Sequence, residues 1–134
     1  MEAHMHTIEL FQDAVQRGDY ATALPLIEQV VQQHPNIGTN WYNYGDCLEK
    51  MGRHNRAATA FMTAVRCDPT DGGAYYRACL ALVEAKNTEG LLAVFRQICQ
   101  VRASMLETLK AEPEFAPYFQ IPEFADLERQ IGQH

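Results

Sequence analysis

The stretch from Trp41 to Pro69 leaves this chain few folds to choose from. It holds two apolar periods separated by Met51-Gly52-Arg53 and closed by Asp68-Pro69. In the first, Trp41, Tyr44 and Leu48 share one helical face, with Gly45 between them. In the second, Ala57, Phe61 and Ala64 recur at i, i+4 and i+7, the spacing of one helix face. Gly52 and Pro69 are the residue types that stop helices. The pattern predicts a helical hairpin whose contact residues alternate large and small. Antiparallel helices approach closely only where one side chain is small, so Gly45, Ala57 and Ala64 are expected as holes for Trp41, Leu48 and Phe61. Glycine inside a helix costs roughly 1 kcal/mol relative to alanine, and packing must offset it.

The spacing Trp41, Gly45, Ala57, Phe61, Ala64, Pro69 resembles the tetratricopeptide repeat, whose period is about 34 residues. Shifting the frame back by one period carries Gly52 to Gly18, Ala57 to Ala23 and Pro69 to Pro35. Shifting it forward carries Trp41 to Tyr75, Leu48 to Leu82 and Phe61 to Phe95, while Gly45 becomes the small Cys79. In that third frame Lys86 and Ala103 replace the glycine and proline stops. The resemblance implies an all-α fold, an α-α superhelix of three antiparallel hairpins with C-terminal capping helices. A single domain is expected over residues 1–134, with repeats at about 4–37, 38–71 and 72–105 and a cap at about 106–134.

Within that frame the first helix is expected over about residues 4–16. Asp19 caps the second, which runs to about Gln33 with Pro25 near its first turn. Asn36 or Gly38 opens the third helix, Asn55 caps the fourth, and Asn87-Thr88 caps the sixth. With no stop before Pro113, the sixth helix is expected to run about 20 residues. Its long apolar surface needs a cover. The tail from Glu112 to Leu127 is aromatic and broken by prolines, similar to the E/D-P-x-F segments that close many bacterial proteins of this repeat family. A short turn and a last helix from about Pro122 to Gln130 are expected. Phe115, Tyr118, Phe119, Phe124 and Leu127 should pack on the sixth helix, since a terminal repeat exposes apolar surface unless capped.

The formal charge is −6. Residues 1–37 carry −4, 38–71 are neutral, 72–111 carry +2 and 112–134 carry −4. No contiguous basic face emerges, so nucleic acid is not expected as a partner. Arg96, Arg102 and Lys110 read as a solvated face or as docking partners for the acidic tail. No apolar run reaches the 18 or so residues that a spanning helix needs, and the N-terminus lacks the pattern of a signal peptide. A cytoplasmic location without membrane insertion is the expectation. Cys47, Cys67, Cys79 and Cys99 show no C-x-x-C pair and read as small buried side chains in a reducing compartment.

No phosphate loop, nucleophile elbow or zinc-helix motif occurs, so neither a catalytic site, a metal nor a cofactor is expected. Glu49 and Glu84 read as solvated helix charges. His4 and His6 point to different helix faces, His34 and His54 at hairpin ends read as exposed, and His134 is the last residue. In the repeat family the first helix of each hairpin lines an inner groove. The resemblance therefore places Ile8, Gln12, Tyr42, Asn43, Asp46, Tyr76, Arg77 and Leu80 on a peptide-binding groove, with Met5, Glu9, Thr39, Glu49 and Gly73 beside them. Tyr42 and Tyr76 either anchor a ligand or stack between neighbouring helices. The two-carboxylate clamp of chaperone-tail binders maps onto Ile8, Gln12, Asn43, Gly73 and Arg77. Only Asn43 and Arg77 agree with it, so the charge-assisted bonds to a terminal carboxylate are mostly missing.

The expected function is a non-catalytic protein–protein interaction module that binds a peptide or partner protein in the groove. The alternative is a self-associating homodimer or chaperone-like assembly module.

Overall fold

The computed structural model describes residues 2–132, with side chains for residues 6–131. Every regular element among them is helical. The elements are α1 (Glu2–Gln16), α2 (Tyr20–Gln33), α3 (Gly38–Lys50), α4 (His54–Cys67), α5 (Gly72–Glu84), α6 (Thr88–Val101), α7 (Ser104–Lys110), a 3-10 turn (Ala116–Gln120) and α8 (Pro122–Gly132). The all-α class expected from the sequence is met.

The 34-residue period is written into the element boundaries. Tyr20, His54 and Thr88 open α2, α4 and α6, and Gln33, Cys67 and Val101 end them at the same interval. The turns repeat too. Gly18 (φ +72°), Gly52 (φ +75°) and Lys86 (φ +55°) hold the left-handed conformation. After each, a backbone N–H reaches back five residues: Asp19 to Ala14 O (2.8 Å), Arg53 to Leu48 O (2.9 Å) and Asn87 to Leu82 O (2.9 Å). Those bonds satisfy carbonyls that a helix end leaves without a partner.

The N-caps vary within this frame. Asp19 accepts from Thr22 N and Asn87 from Gly90 N, both as expected. Asn55 does not cap α4, which begins one residue earlier at His54 with Arg53 at the cap position and no side-chain bond there. Pro25 is the sixth residue of α2, beyond the first turn, so one intrahelical bond is missing. Ala21, whose carbonyl loses that partner, is exposed to water.

Two compact units divide the chain at Ala81/Leu82. In the first, Met1–Ala81, α1 packs on α2, α2 on α3 and α3 on α4. Its core includes Phe11, Ala14, Ile27, Val30, Leu48, Ala57, Phe61 and Ala64. Gly45 lies against Phe61, as the large-and-small pattern requires. Trp41 is only half-buried, and its indole N–H donates to Pro35 O at 2.8 Å.

In the second unit, Leu82–His134, α6 packs on α7 and on α8. The ring of Phe95 meets Phe115, Phe119 and Phe124 at 6.1, 5.7 and 5.3 Å between centroids. Phe115, Phe119, Phe124 and Leu127 are buried, so the tail covers α6 as the sequence predicts. Lys110 pairs with Glu128, tying α7 to the acidic last helix.

The sixth helix is not 20 residues long. It stops at Val101, where Arg102 leaves helical geometry (φ −157°, ψ 63°) without a glycine or proline. Packing explains the break. Each helical residue advances about 1.5 Å, so a continuous helix would carry Leu106 and Leu109 roughly 12 Å or more past Ile98. The break turns them back into the core, each only 1% exposed, and leaves Val101 outside at 60%.

Candidate functional site

The expected groove residues sit on α1, α3 and α5, all within the first unit. On α3, Thr39, Tyr42, Asn43 and Asp46 follow the i, i+3, i+4, i+7 spacing of one face. On α5, Gly73, Tyr76, Arg77 and Leu80 repeat it one period later. Arg77 joins the two rows. Its guanidinium donates to Asp46 Oδ1 at 2.5 Å and to the Tyr42 hydroxyl at 3.3 Å. The same group lies 5.5 Å from the Tyr42 ring centre and 5.0 Å from that of Phe61, within cation–π range. Tyr42 meets Phe61 edge to face at 5.3 Å. One arginine thus binds an inner face to the core residue that fills the Gly45 hole.

The electrostatics of that arrangement are settled locally. Burial is the largest single influence and works against the Arg77 charge, but the hydrogen bonds and charge attraction of Asp46 and Tyr42 together outweigh it, so the guanidinium is held more firmly protonated than usual. The side chains of Arg77 and Asp46 remain 29% and 36% exposed. This pair is a partly solvated fixture whose net charge is zero.

Not all the expected residues join it. Asn43, Tyr76 and Leu80 are half-buried on the same rows. On α1, Ile8 is half-buried and Gln12 exposed, and among the described residues no hydrogen bond or ion pair links either to the Arg77 cluster. The side chain of Met5 lies outside the described residues, as do those of His4 and His134. His54 is not the exposed residue expected. Its Nδ1 sits 2.6 Å from Glu49 Oε1, and Glu49 is 17% exposed rather than solvated. A histidine five residues after a glutamate, across a tight turn, carried the signal for this pair.

Beside the Arg77 cluster, Thr39, Tyr42, Asp71 and Gly73 line a small pocket of about 270 Å³. Asp71 was missed as a site residue. Its Oδ1 caps α5 by accepting from Ala74 N at 3.0 Å. Of the cysteines, Cys47 and Cys79 are buried and Cys67 and Cys99 half-buried, all with free thiols. Burial, then the neighbouring Asp46 and Glu28 charges, pushes the Cys47 thiol up to about 11. Burial alone pushes Cys79 up to about 12. Neither is a nucleophile at neutral pH.

Residues 8–72 match the family model described as Tetratricopeptide repeat, and this stretch of the chain is similar to that family. No curated protein matches it in sequence. Solved structures share the fold. The TPR2B domain of yeast Sti1, in complex with an Hsp70 peptide, is 15% identical, with 97% of this chain and 99% of that chain covered and a TM-score of 0.62. The Arabidopsis OM64 TPR domain is 16% identical, with 100% and 98% covered and a TM-score of 0.62. The Yersinia enterocolitica type III secretion chaperone SycD, in complex with a peptide of the translocator YopD, is 13% identical, with 97% and 95% covered and a TM-score of 0.64.

Proposed function

We propose that this chain is a non-catalytic interaction module that binds a peptide or an extended segment of a partner protein on the face formed by Tyr42, Asn43, Asp46, Tyr76, Arg77 and Leu80, with Ile8 and Gln12 of α1 at its margin. The observation that carries the reading is the Arg77 fixture. It locks the Tyr42 side chain between α3 and α5, so the anchor ring is held before any ligand arrives. Pre-ordered aromatic and aliphatic anchors with a few polar groups are what peptide recognition needs, because little side-chain entropy is then lost on binding. Two of the structures with this fold, Sti1 and SycD, are themselves described in complex with peptides. The free thiols fit a reducing compartment, in keeping with a cytoplasmic location. The repeat divisions at 37/38 and 71/72 are part of this proposal, with all three hairpins and the tail serving one binding domain.

The test is selection of peptides from a random displayed library against the full chain, followed by affinity measurement with Tyr42→Ala and Leu80→Glu. Binders that lose at least tenfold in both variants support the reading. Failure to enrich any peptide, or binders indifferent to both changes, overturns it.

A further inference from the structure

The charge left on the proposed binding face points to the chemistry of its ligand. Arg77 is the one cation among the groove residues, and Asp46 already neutralises it at 2.5 Å. A ligand carboxylate would have to compete with a fixed intramolecular partner. Close by, Thr39, Tyr42, Asp71 and Gly73 border the pocket of about 270 Å³, an open surface depression. It offers the Asp71 carboxylate, the Tyr42 ring and the hydroxyls of Thr39 and Tyr42, the latter already accepting from Arg77, and no basic side chain lines it. Gly73 contributes no side chain to fill it.

The opposing effect is the start of α5, because the first amides of a helix favour anions. That dipole amounts to about half a positive charge. The Asp71 carboxylate carries a full negative charge and already accepts from Ala74 N. The pocket is therefore net negative, and an entering anion would meet a carboxylate placed where it would need to bind. We infer that the pocket of Thr39, Tyr42, Asp71 and Gly73 takes the side chain of a lysine or arginine from the bound segment, making this a module for basic rather than carboxylate-ended peptides. Pairing with a carboxylate is the contact such a side chain would make with Asp71.

This inference rests on the proposed binding face, and the experiment separates the two. Twelve-residue fluorescein-labelled peptide pools with randomised flanks and a central Lys, Arg, Glu or norleucine are titrated against the full chain by anisotropy. The Lys and Arg pools should bind about five- to tenfold tighter than the Glu and norleucine pools, and 0.5 M salt should shrink the difference. Asp71→Asn keeps a residue able to cap α5, so its thermal melt should match that of the parent chain while the Lys preference disappears. Equal binding of all pools, tighter binding of the Glu pool, or a Lys preference that survives in Asp71→Asn overturns the basic-ligand inference and leaves the binding face standing. Binding by no pool overturns both.

Discussion

A side chain at Gly45 would collide with Phe61: a Cβ built there stands 2.8 Å from Phe61 Cε1 and 2.9 Å from Cδ1 and Cζ. Three ring atoms at that range mean that the aromatic face itself must move. Phe61 is fully buried and also touches Tyr42 and Arg77, so movement is resisted on several sides. Alanine is a better helix former by about 1 kcal/mol, yet overpacking a core costs roughly 1–3 kcal/mol. Gly45→Ala should therefore destabilise by about 1–2 kcal/mol in urea unfolding, and Phe61→Leu in the same chain should recover part of it. A stabilised Gly45→Ala would show that the hairpin has slack.

Lys86 holds at φ +55° the position that glycine holds in the two preceding repeats. A side chain in that region costs roughly 1–2 kcal/mol, offset in part by the greater freedom that glycine loses on folding. Lys86→Gly should raise stability by about 0.5–1 kcal/mol, read as a higher melting temperature. The contrasting change, Gly52→Ala, should lower it by about 1 kcal/mol.

Arg53 stands at the cap of α4 without a side-chain bond, where Asp19 and Asn87 cap α2 and α6. Arg53→Asp should gain about 1 kcal/mol from the missing bond and a favourable interaction with the helix dipole. A circular-dichroism melt checks it; no gain would mean that the α4 amides are already satisfied by water at no cost.

The buried thiols make stability fall at alkaline pH. Cys47 and Cys79 are raised from the ordinary value of 9 to about 11 and about 12 in the fold. The unfolded chain ionises first, so this stability is fully present below about pH 9 and is lost as pH rises through 11 and 12. Urea midpoints should drop between pH 8 and pH 10.5, and Cys79→Ala should reduce the drop. At pH 8 a disulfide reagent should label neither Cys47 nor Cys79 in the native chain before Cys67.

Particular residues show why the fold was legible in the sequence. Gly18, Gly52, Pro35 and Pro69 punctuate two repeats with residue types that have few other uses, and helix boundaries fall beside them. Lys86 and Arg102 adopt the same turn and cap conformations without the matching residue type. There the decision belongs to packing: burying Leu106 and Leu109 ends α6 where local sequence would have continued it. The site was half legible. Periodicity places Tyr42 with Tyr76 and Asn43 with Arg77. The Arg77–Asp46 bond spans 31 residues and depends on how α5 lies beside α3, which no local pattern encodes. Asp71 lies in the turn before α5, and its place in a pocket appears only once Tyr42 and Thr39 are brought to it.

The most direct test of the binding face is a two-dimensional amide NMR spectrum of the labelled chain, recorded while peptides enriched by selection are added. The largest shifts should fall on Tyr42, Asn43, Asp46, Tyr76, Arg77 and Leu80. Shifts concentrated instead on the outer face of α4, at Arg56, Thr59 and Arg66, or on α6 and α8, at Arg96 and Gln130, would contradict it and move the interaction surface elsewhere.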